Sequence, residues 1–273
     1  PRFSVAVDGL RSFVTSQDYP CDITTTVEAE GETILAMTHS VFRRGGRMRR
    51  SQRRRMVRKN RCWTPPAGHL KAGIALLFNE LWNVLRPSYA TPVTIDTDNH
   101  PFYAAVLRHQ PEMGHFTLAN QAAHKKTSGS AARTLDNPLF PVNYVDRLMR
   151  HRLKEHTRET IAFGRNSVLQ MHRAWLFAWD HNFRREHRVR KPAESVHAQQ
   201  GCLSGAIIRH VNRSFFERRL RPPAIDVPET IRQVWMGELV TPPIRWKRGQ
   251  NGSSIRISDY SRADLLAAYQ QAC

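Results

Sequence analysis

Residues 3–9 read FSVAVDG, an apolar run stopped by an aspartate and a glycine. A short run of this kind is a buried strand that delivers one carboxylate, Asp8, to the rim of a sheet. Outward from it, CDITTTVEA at 21–29 alternates Ile23, Thr25, Val27 and Ala29 on one face, the period-2 pattern of a strand. Glu30-Gly31-Glu32 supplies a tight turn, and TILAMTH at 33–39 is the returning strand. The opening forty residues are therefore expected to form a β-meander.

After Pro65-Pro66, Leu70, Ile74, Leu77, Leu81 and Leu85 recur at helical spacing and predict a helix over 68–86, closed by Pro87. PVTID at 92–96 is the next strand, running into Thr97-Asp98. NHPFYAAVLRH follows as a helix, with Asp98 or Asn99 as N-cap and Pro101 in its first turn. HFTLA at 115–119 is expected to be a short strand and the polar 120–138 a loop. Val145, Leu148, Met149 and Leu153 predict a helix over 142–156, with Asp146, Arg150 and Lys154 sharing another face at i, i+4 and i+8. Leu169, Leu176, Trp179 and Phe183 predict a further helix over 167–185, in which Trp175 and Trp179 read as core.

The order β-β-β-α-β-α-β-α-α, with an acid at the end of the first strand, is what a ribonuclease-H-like α/β domain would give. In that arrangement a mixed five-stranded sheet flanked by helices has its first strand central and its fourth beside it. Carboxylates at both strand ends, Asp8 and Asp98, would face one crevice, and Asp146 on a later helix could close it. Aspartates after strands also cap helices, so each of the three taken singly reads first as a cap or a surface residue. Residues 1–190 are expected to form this domain and 193–273 a small, mostly helical C-terminal extension. Its expected parts are helices at 203–219 and 261–271, a proline-rich link at Pro222, Pro223 and Pro228, and a polar WKRGQNGSS stretch.

The chain has 273 residues with 42 Lys and Arg against 23 Asp and Glu, a net charge of +19. Its 40% hydrophobic content excludes a disordered tail. No apolar run approaches the roughly 18 residues of a membrane helix, and the N-terminus lacks a signal-peptide pattern. Such a charge on a folded chain implies a polyanionic partner, nucleic acid first. Arginine is densest in RRGGRMRRSQRRRMVRKNR at 43–61, expected to be a flexible insertion or a solvated helix. Arg43, Arg44, Arg47, Arg49, Arg50, Arg53, Arg54 and Arg55 are its candidate phosphate contacts. Cys21, Cys62, Cys202 and Cys273 are too scattered for a zinc knuckle and read as reduced thiols of a cytoplasmic protein. Pro1 in place of methionine leads us to expect a chain processed or truncated upstream.

VDGLRSF at 7–13, TDNHPFYAAVL at 97–107 and NPLFPVNYVDRLMRHRLKEHTRETIAFGRN at 137–166 resemble the DDE transposases of bacterial insertion sequences. The resemblance includes a D-x-x-x-x-Y element from Asp98 to Tyr103. It continues in a TR-x-T-x-x-F phrase at Thr157, Arg158, Thr160 and Phe163, and an NF-R element at Asn182, Phe183 and Arg184. It implies a ribonuclease-H-like, integrase-like core that cuts the 3′ ends of its element and joins them to target DNA. Asp8, Asp98 and Asp146 would be catalytic and would bind two Mg²⁺ ions, with Mn²⁺ able to substitute. Arg150, Lys154 and Arg158 would contact DNA, and the protein would act as a homo-oligomer on paired ends. The third acid is aspartate where the family carries glutamate, with Glu155 as the alternative ligand, and no end-recognition module precedes the core.

Two other classes stay open on the residues alone. One is a truncated or inactivated relative that binds nucleic acid without cutting it. The other is a basic structural nucleic-acid-binding protein whose acids only cap helices. Among His100, His115, His124, His151, His156 and His172, the pair His151 and His156 lies five apart and lacks the i, i+4 spacing of a helical metal pair.

Overall fold

The computed structural model describes residues 3–85, 92–119, 121–132, 134–158, 162–187, 196–201, 203–216 and 228–242. The expected helix at 261–271, the WKRGQNGSS stretch, Pro222, Pro223, Thr160, Cys202 and Cys273 lie outside the described residues.

The chain is α/β. The meander forms as read, from β1 (Phe3–Phe13), β2 (Pro20–Glu28) and β3 (Ile34–Val41), each antiparallel to the one before. The arginine-rich stretch then contains α1 (Arg50–Asn60), which has no buried residue. Next come α2 (His69–Leu85), β4 (Val93–Asp98), α3 (Pro101–Arg108), α4 (Pro111–Leu118) and β5 (Ala122–Thr127). After these follow α5 (Phe140–Arg152), a 3-10 turn (Lys154–His156) and α6 (Ser167–Phe183). The described residues end with α7 (His197–Gly201), α8 (Gly205–Phe216) and α9 (Glu229–Trp235). The strands make an open five-stranded mixed sheet in the order β3-β2-β1-β4-β5, with β4 parallel to β1 and β5 parallel to β4.

The sheet is covered on both faces because its central strands are apolar on both. On one side Val5, Val7, Val93 and Ile95 pack against Ile74, Leu77, Phe78 and Leu81 of α2 and Tyr103, Val106 and Leu107 of α3. On the other, Ala6, Leu10, Ile23 and Val27 pack against Val142, Val145 and Met149 of α5 and Met171, Ala174 and Phe177 of α6. Each fully buried Leu, Ile or Phe here stabilises the fold by about 1.5–3 kcal/mol. Val234 of α9 joins the second core, and the α9 backbone N–H of Glu229 donates to Glu80 Oε1 of α2 at 2.9 Å.

The structure corrects the sequence reading in several places. HFTLA is the end of helix α4, begun by Pro111 at its first turn, and Leu118 is 90% exposed. The fifth strand is instead AAHKKT, inside the stretch read as a loop. It is an edge strand with one buried residue, Ala122, and exposed Lys125 and Lys126, so it lacks the alternation that marks an inner strand. Asp8 does not end its strand: β1 continues to Phe13 along β2, and only its pairing with β4 stops, at Val7. The helix expected over 142–156 stops at Arg152, so Lys154 lies in the 3-10 turn and not on the face of Asp146 and Arg150. On α6 the buried stripe is Gln170, Met171, Ala174, Phe177, Ala178 and His181, while Leu169 and Leu176 are exposed. Trp175 and Trp179 are half-buried.

Candidate active site

The central feature is the point where β1 and β4 part. Their parallel register runs from Phe3 opposite Val93 to Val7 opposite Thr97. Asp8 and Asp98 are the next residues on the two neighbouring strands, which lie about 4.8 Å apart in a sheet. Connections run from β1 toward β3 on one side and from β4 toward β5 on the other. Asp98 therefore stands at the carboxyl end of β4 and Asp8 beside it within β1, where the parallel pairing stops and the connections diverge, the place at which an open α/β sheet forms its ligand crevice. Strand alternation puts Asp8 on the face of Ala6 and Leu10, toward α5. On α5, Asp146 is buried beside Val145.

The phenol of Tyr103 reports that these acids share one neighbourhood. Burial pushes it well above its ordinary value, and Asp22, Asp8, Asp98 and Asp146 each push it further the same way. Tyr103 is therefore neutral; its ring packs edge-on against Phe78 in the core on the α2 side of the sheet, near the start of α3. Backbone groups fix two of the acids. Gly9 N–H donates to Asp8 Oδ1 at 2.7 Å, and His100 N–H donates to Asp98 Oδ1 at 2.8 Å. The N-cap of α3 is His100, not Asp98 or Asn99, its ring accepting from Phe102 N–H.

Asp22 was not singled out from sequence. It sits on β2 opposite Arg11 of β1, whose Nε lies 3.4 Å from Asp22 Oδ1. Burial raises the Asp22 carboxyl; Arg11, the Thr24 hydroxyl and His100 pull it back, and Asp98 raises it again. Gly9 makes room for it, because a Cβ there would run into the Asp22 carboxylate. A glycine directly after Asp8 was the only sequence signal of that close approach.

The remaining candidates divide. Glu155 is committed elsewhere: it is buried and paired with Arg173 at 3.0 Å, so it does not join the acids. Arg150 reaches the carbonyl of His156 at 3.1 Å and braces the 3-10 turn, while Lys154 and Arg158 are exposed. His156 is buried with Nδ1 2.8 Å from Ser12 Oγ, and burial pulls it down to about 4. His124 Nε2 lies 2.9 Å from Thr97 Oγ1. His115, His151 and His172 are exposed.

On α1, Arg55 and Lys59 lie one turn apart and reach Asp18 at 2.7 and 2.9 Å, joined by Arg44 at 3.4 Å. Arg44 and Arg55 are thus structural partners of a buried carboxylate. At 100° per residue, Arg50, Arg53 and Arg54 fall on the opposite side of α1. They are exposed, as are Arg43, Arg47 and Arg49.

Hard oxygen donors from Asp8, Asp98 and Asp146 suit Mg²⁺ or Mn²⁺. They come from β1, β4 and α5, and among the described residues their ligand atoms are not drawn together within 4.8 Å of one another. No family model matches the chain, and no curated protein matches it in sequence.

Proposed function

We propose that the chain is a ribonuclease-H-like catalytic core of a DDE transposase, cutting DNA at phosphodiester bonds and transferring the freed 3′ end. The observation that carries this reading is the placement of Asp8 and Asp98 side by side where β1 and β4 part, on the sheet face covered by α5, which carries the buried Asp146. Magnesium held by these three carboxylates would stabilise both the attacking and the leaving oxygen of an in-line displacement. The chain's own groups supply the frame. Asp8 and Asp98 are oriented by backbone N–H donors on a rigid sheet. Water frees a 3′-hydroxyl in the first step, and that hydroxyl attacks target DNA in the second. DNA would be held by the arginines on the outward side of α1 and, near the scissile phosphate, by Lys154 and Arg158. Work on paired ends implies a homo-oligomer.

The test is nicking of supercoiled plasmid by the purified chain in Mg²⁺ or Mn²⁺, beside EDTA. Metal-dependent nicking that falls at least about 1,000-fold in Asp98→Asn, on the order of 4 kcal/mol of transition-state stabilisation, is the expected result. Salt-sensitive DNA binding with no nicking in any metal would replace this reading by that of a non-cutting binder.

A further inference from the structure

A second group of ligating side chains lies away from the acids, at the tip of the β2–β3 hairpin. Glu32, His187 and His197 each offer one donor atom, and these atoms all fall within 4.8 Å of one another. Glu32 Oε2 lies 4.0 Å from His187 Nε2 and 3.8 Å from His197 Nδ1. The three residues come from distant parts of the chain: the hairpin turn, the segment after α6 and the first residue of α7. Their side chains are 16%, 9% and 3% exposed, which is deep for a carboxylate among imidazoles.

The surroundings hold the donors in place. The Glu28 carboxylate accepts the backbone N–H groups of Glu30 and Gly31 at 2.6 and 2.7 Å, which fixes the turn. Glu32 itself has φ +53°, a conformation a side chain adopts only when its surroundings impose it. His197 Nδ1, the ring atom 3.8 Å from Glu32 Oε2, also lies 2.8 Å from the Gly31 carbonyl, which holds the ring at the hairpin tip.

The back wall is His181. Its ring stacks on that of His197 with centroids 3.8 Å apart, and its Nε2 lies 2.9 Å from the Glu32 carbonyl. His181 is fully buried, and its Nδ1 has no hydrogen-bond partner among the described residues. An apolar side chain would fill that place at lower cost, so three buried imidazoles around one carboxylate require an explanation.

We infer that Glu32, His187 and His197 bind a zinc ion that staples the β2–β3 hairpin to the segment following α6. Two imidazoles and one carboxylate are a zinc donor set. Tetrahedral bonds of 2.0–2.2 Å would hold the donors about 3.3 Å apart, so loading closes the triad by about 1.5 Å at most. The site differs in donor chemistry from the all-oxygen acids of the crevice, and three protein donors would leave the fourth tetrahedral position to water.

The purified full chain, stripped with chelator, is titrated with Zn²⁺ and separately with Mg²⁺, with metal content, melting temperature and the visible spectrum of the Co²⁺ form as readouts. One equivalent of Zn²⁺ is expected, with a melting rise of several degrees that Mg²⁺ does not give. Glu32→Gln and His187→Gln should each lose that equivalent and that rise, and Asp98→Asn should keep both. Glu32→Gln preserves the backbone bonds of the turn, and the Co²⁺ spectrum of the parent chain needs no variant at all. A parent chain that retains no zinc and gives no tetrahedral Co²⁺ spectrum overturns the inference, as does equal zinc binding by parent and both variants.

Discussion

Asp18 and Asp22 are four residues apart, both bury their carboxylates, and their proton affinities move in opposite directions. Asp18 is 3% exposed and Asp22 is 4% exposed, so burial taxes both. At Asp18 burial alone would raise the carboxyl, but hydrogen bonds and charge from Arg55 and Lys59 outweigh it and hold the group below its ordinary value. At Asp22 burial wins: Arg11 stands on one side, its Nε 3.4 Å away, and Asp98 repels from the other. The first is a finished ion-pair cluster that anchors a basic helix to the sheet. The second is a buried carboxylate whose positive neighbours do not offset its burial. The number of cations around a buried carboxylate, not its burial, decides which of the two it becomes.

The largest effect should come from the helix that Asp18 anchors. Arg55 and Lys59 turn inward to Asp18, so the phosphate-facing set is narrower than charge density suggests. Arg49, Arg50, Arg53 and Arg54 changed together to Gln should flatten the dependence of DNA affinity on salt. Each lost phosphate contact removes about 0.9 from the logarithmic slope, so four remove about 3.6. Between 50 and 200 mM salt that is about a hundredfold smaller loss of affinity than the parent shows. An unchanged slope in a filter-binding or anisotropy titration would mean that α1 does not touch DNA.

A smaller effect tests the anchor. Asp18→Ala leaves Arg44, Arg55 and Lys59 without their shared carboxylate and should cost about 2 kcal/mol, by urea denaturation at neutral pH. Because the folded pKa of Asp18 is depressed, its contribution is complete above the unfolded value near 3.9. It is lost as pH falls through the folded value. Parent and variant should therefore differ at pH 7 and converge in strong acid. A difference that persists in acid would show that packing, and not charge, is what the side chain supplies.

Which of these features the sequence displayed follows from the range of the interactions. The strands β1 to β4 and helix α2 were legible because their own apolar periodicity builds the two cores; Val5, Val7, Ile74 and Leu77 carry the signal locally. β5 was not, because an edge strand reading AAHKKT has no alternation to detect, and the five residues of HFTLA fit a strand as well as a helix end. On α6 the packed stripe includes Gln170, His181 and Asn182, polar residues that hydrogen-bond inward. A count of apolar residues therefore placed the buried face one position off. Asp8 and Asp98 were readable from their places after apolar runs. Asp22 was not, since its role comes from the register of β2 against β1. The same holds for Glu32, His187 and His197, which tertiary packing alone brings together.

The smallest effect isolates the unbalanced acid. A carboxyl whose folded pKa is raised contributes stability that is fully present below the unfolded value and lost as pH rises through the folded one. At pH 7 Asp22 is thus a net burden on the fold. Asp22→Asn keeps an oxygen to accept the Thr24 hydroxyl, whose bond to Asp22 Oδ2 is 3.0 Å, and removes the charge. Arg11 is 55% exposed and returns to water at little cost. In EDTA the variant should be more stable than the parent at pH 7 and equal to it near pH 3, read from paired denaturation curves. The gain has the opposite sign to the loss expected for Asp18→Ala, although both variants delete a buried carboxylate from the same corner of the sheet. Equal losses at both positions would mean that the Asp22 carboxylate, on the sheet face of Gly9 and Arg11, is as well compensated by its neighbours as Asp18 is by Arg55 and Lys59.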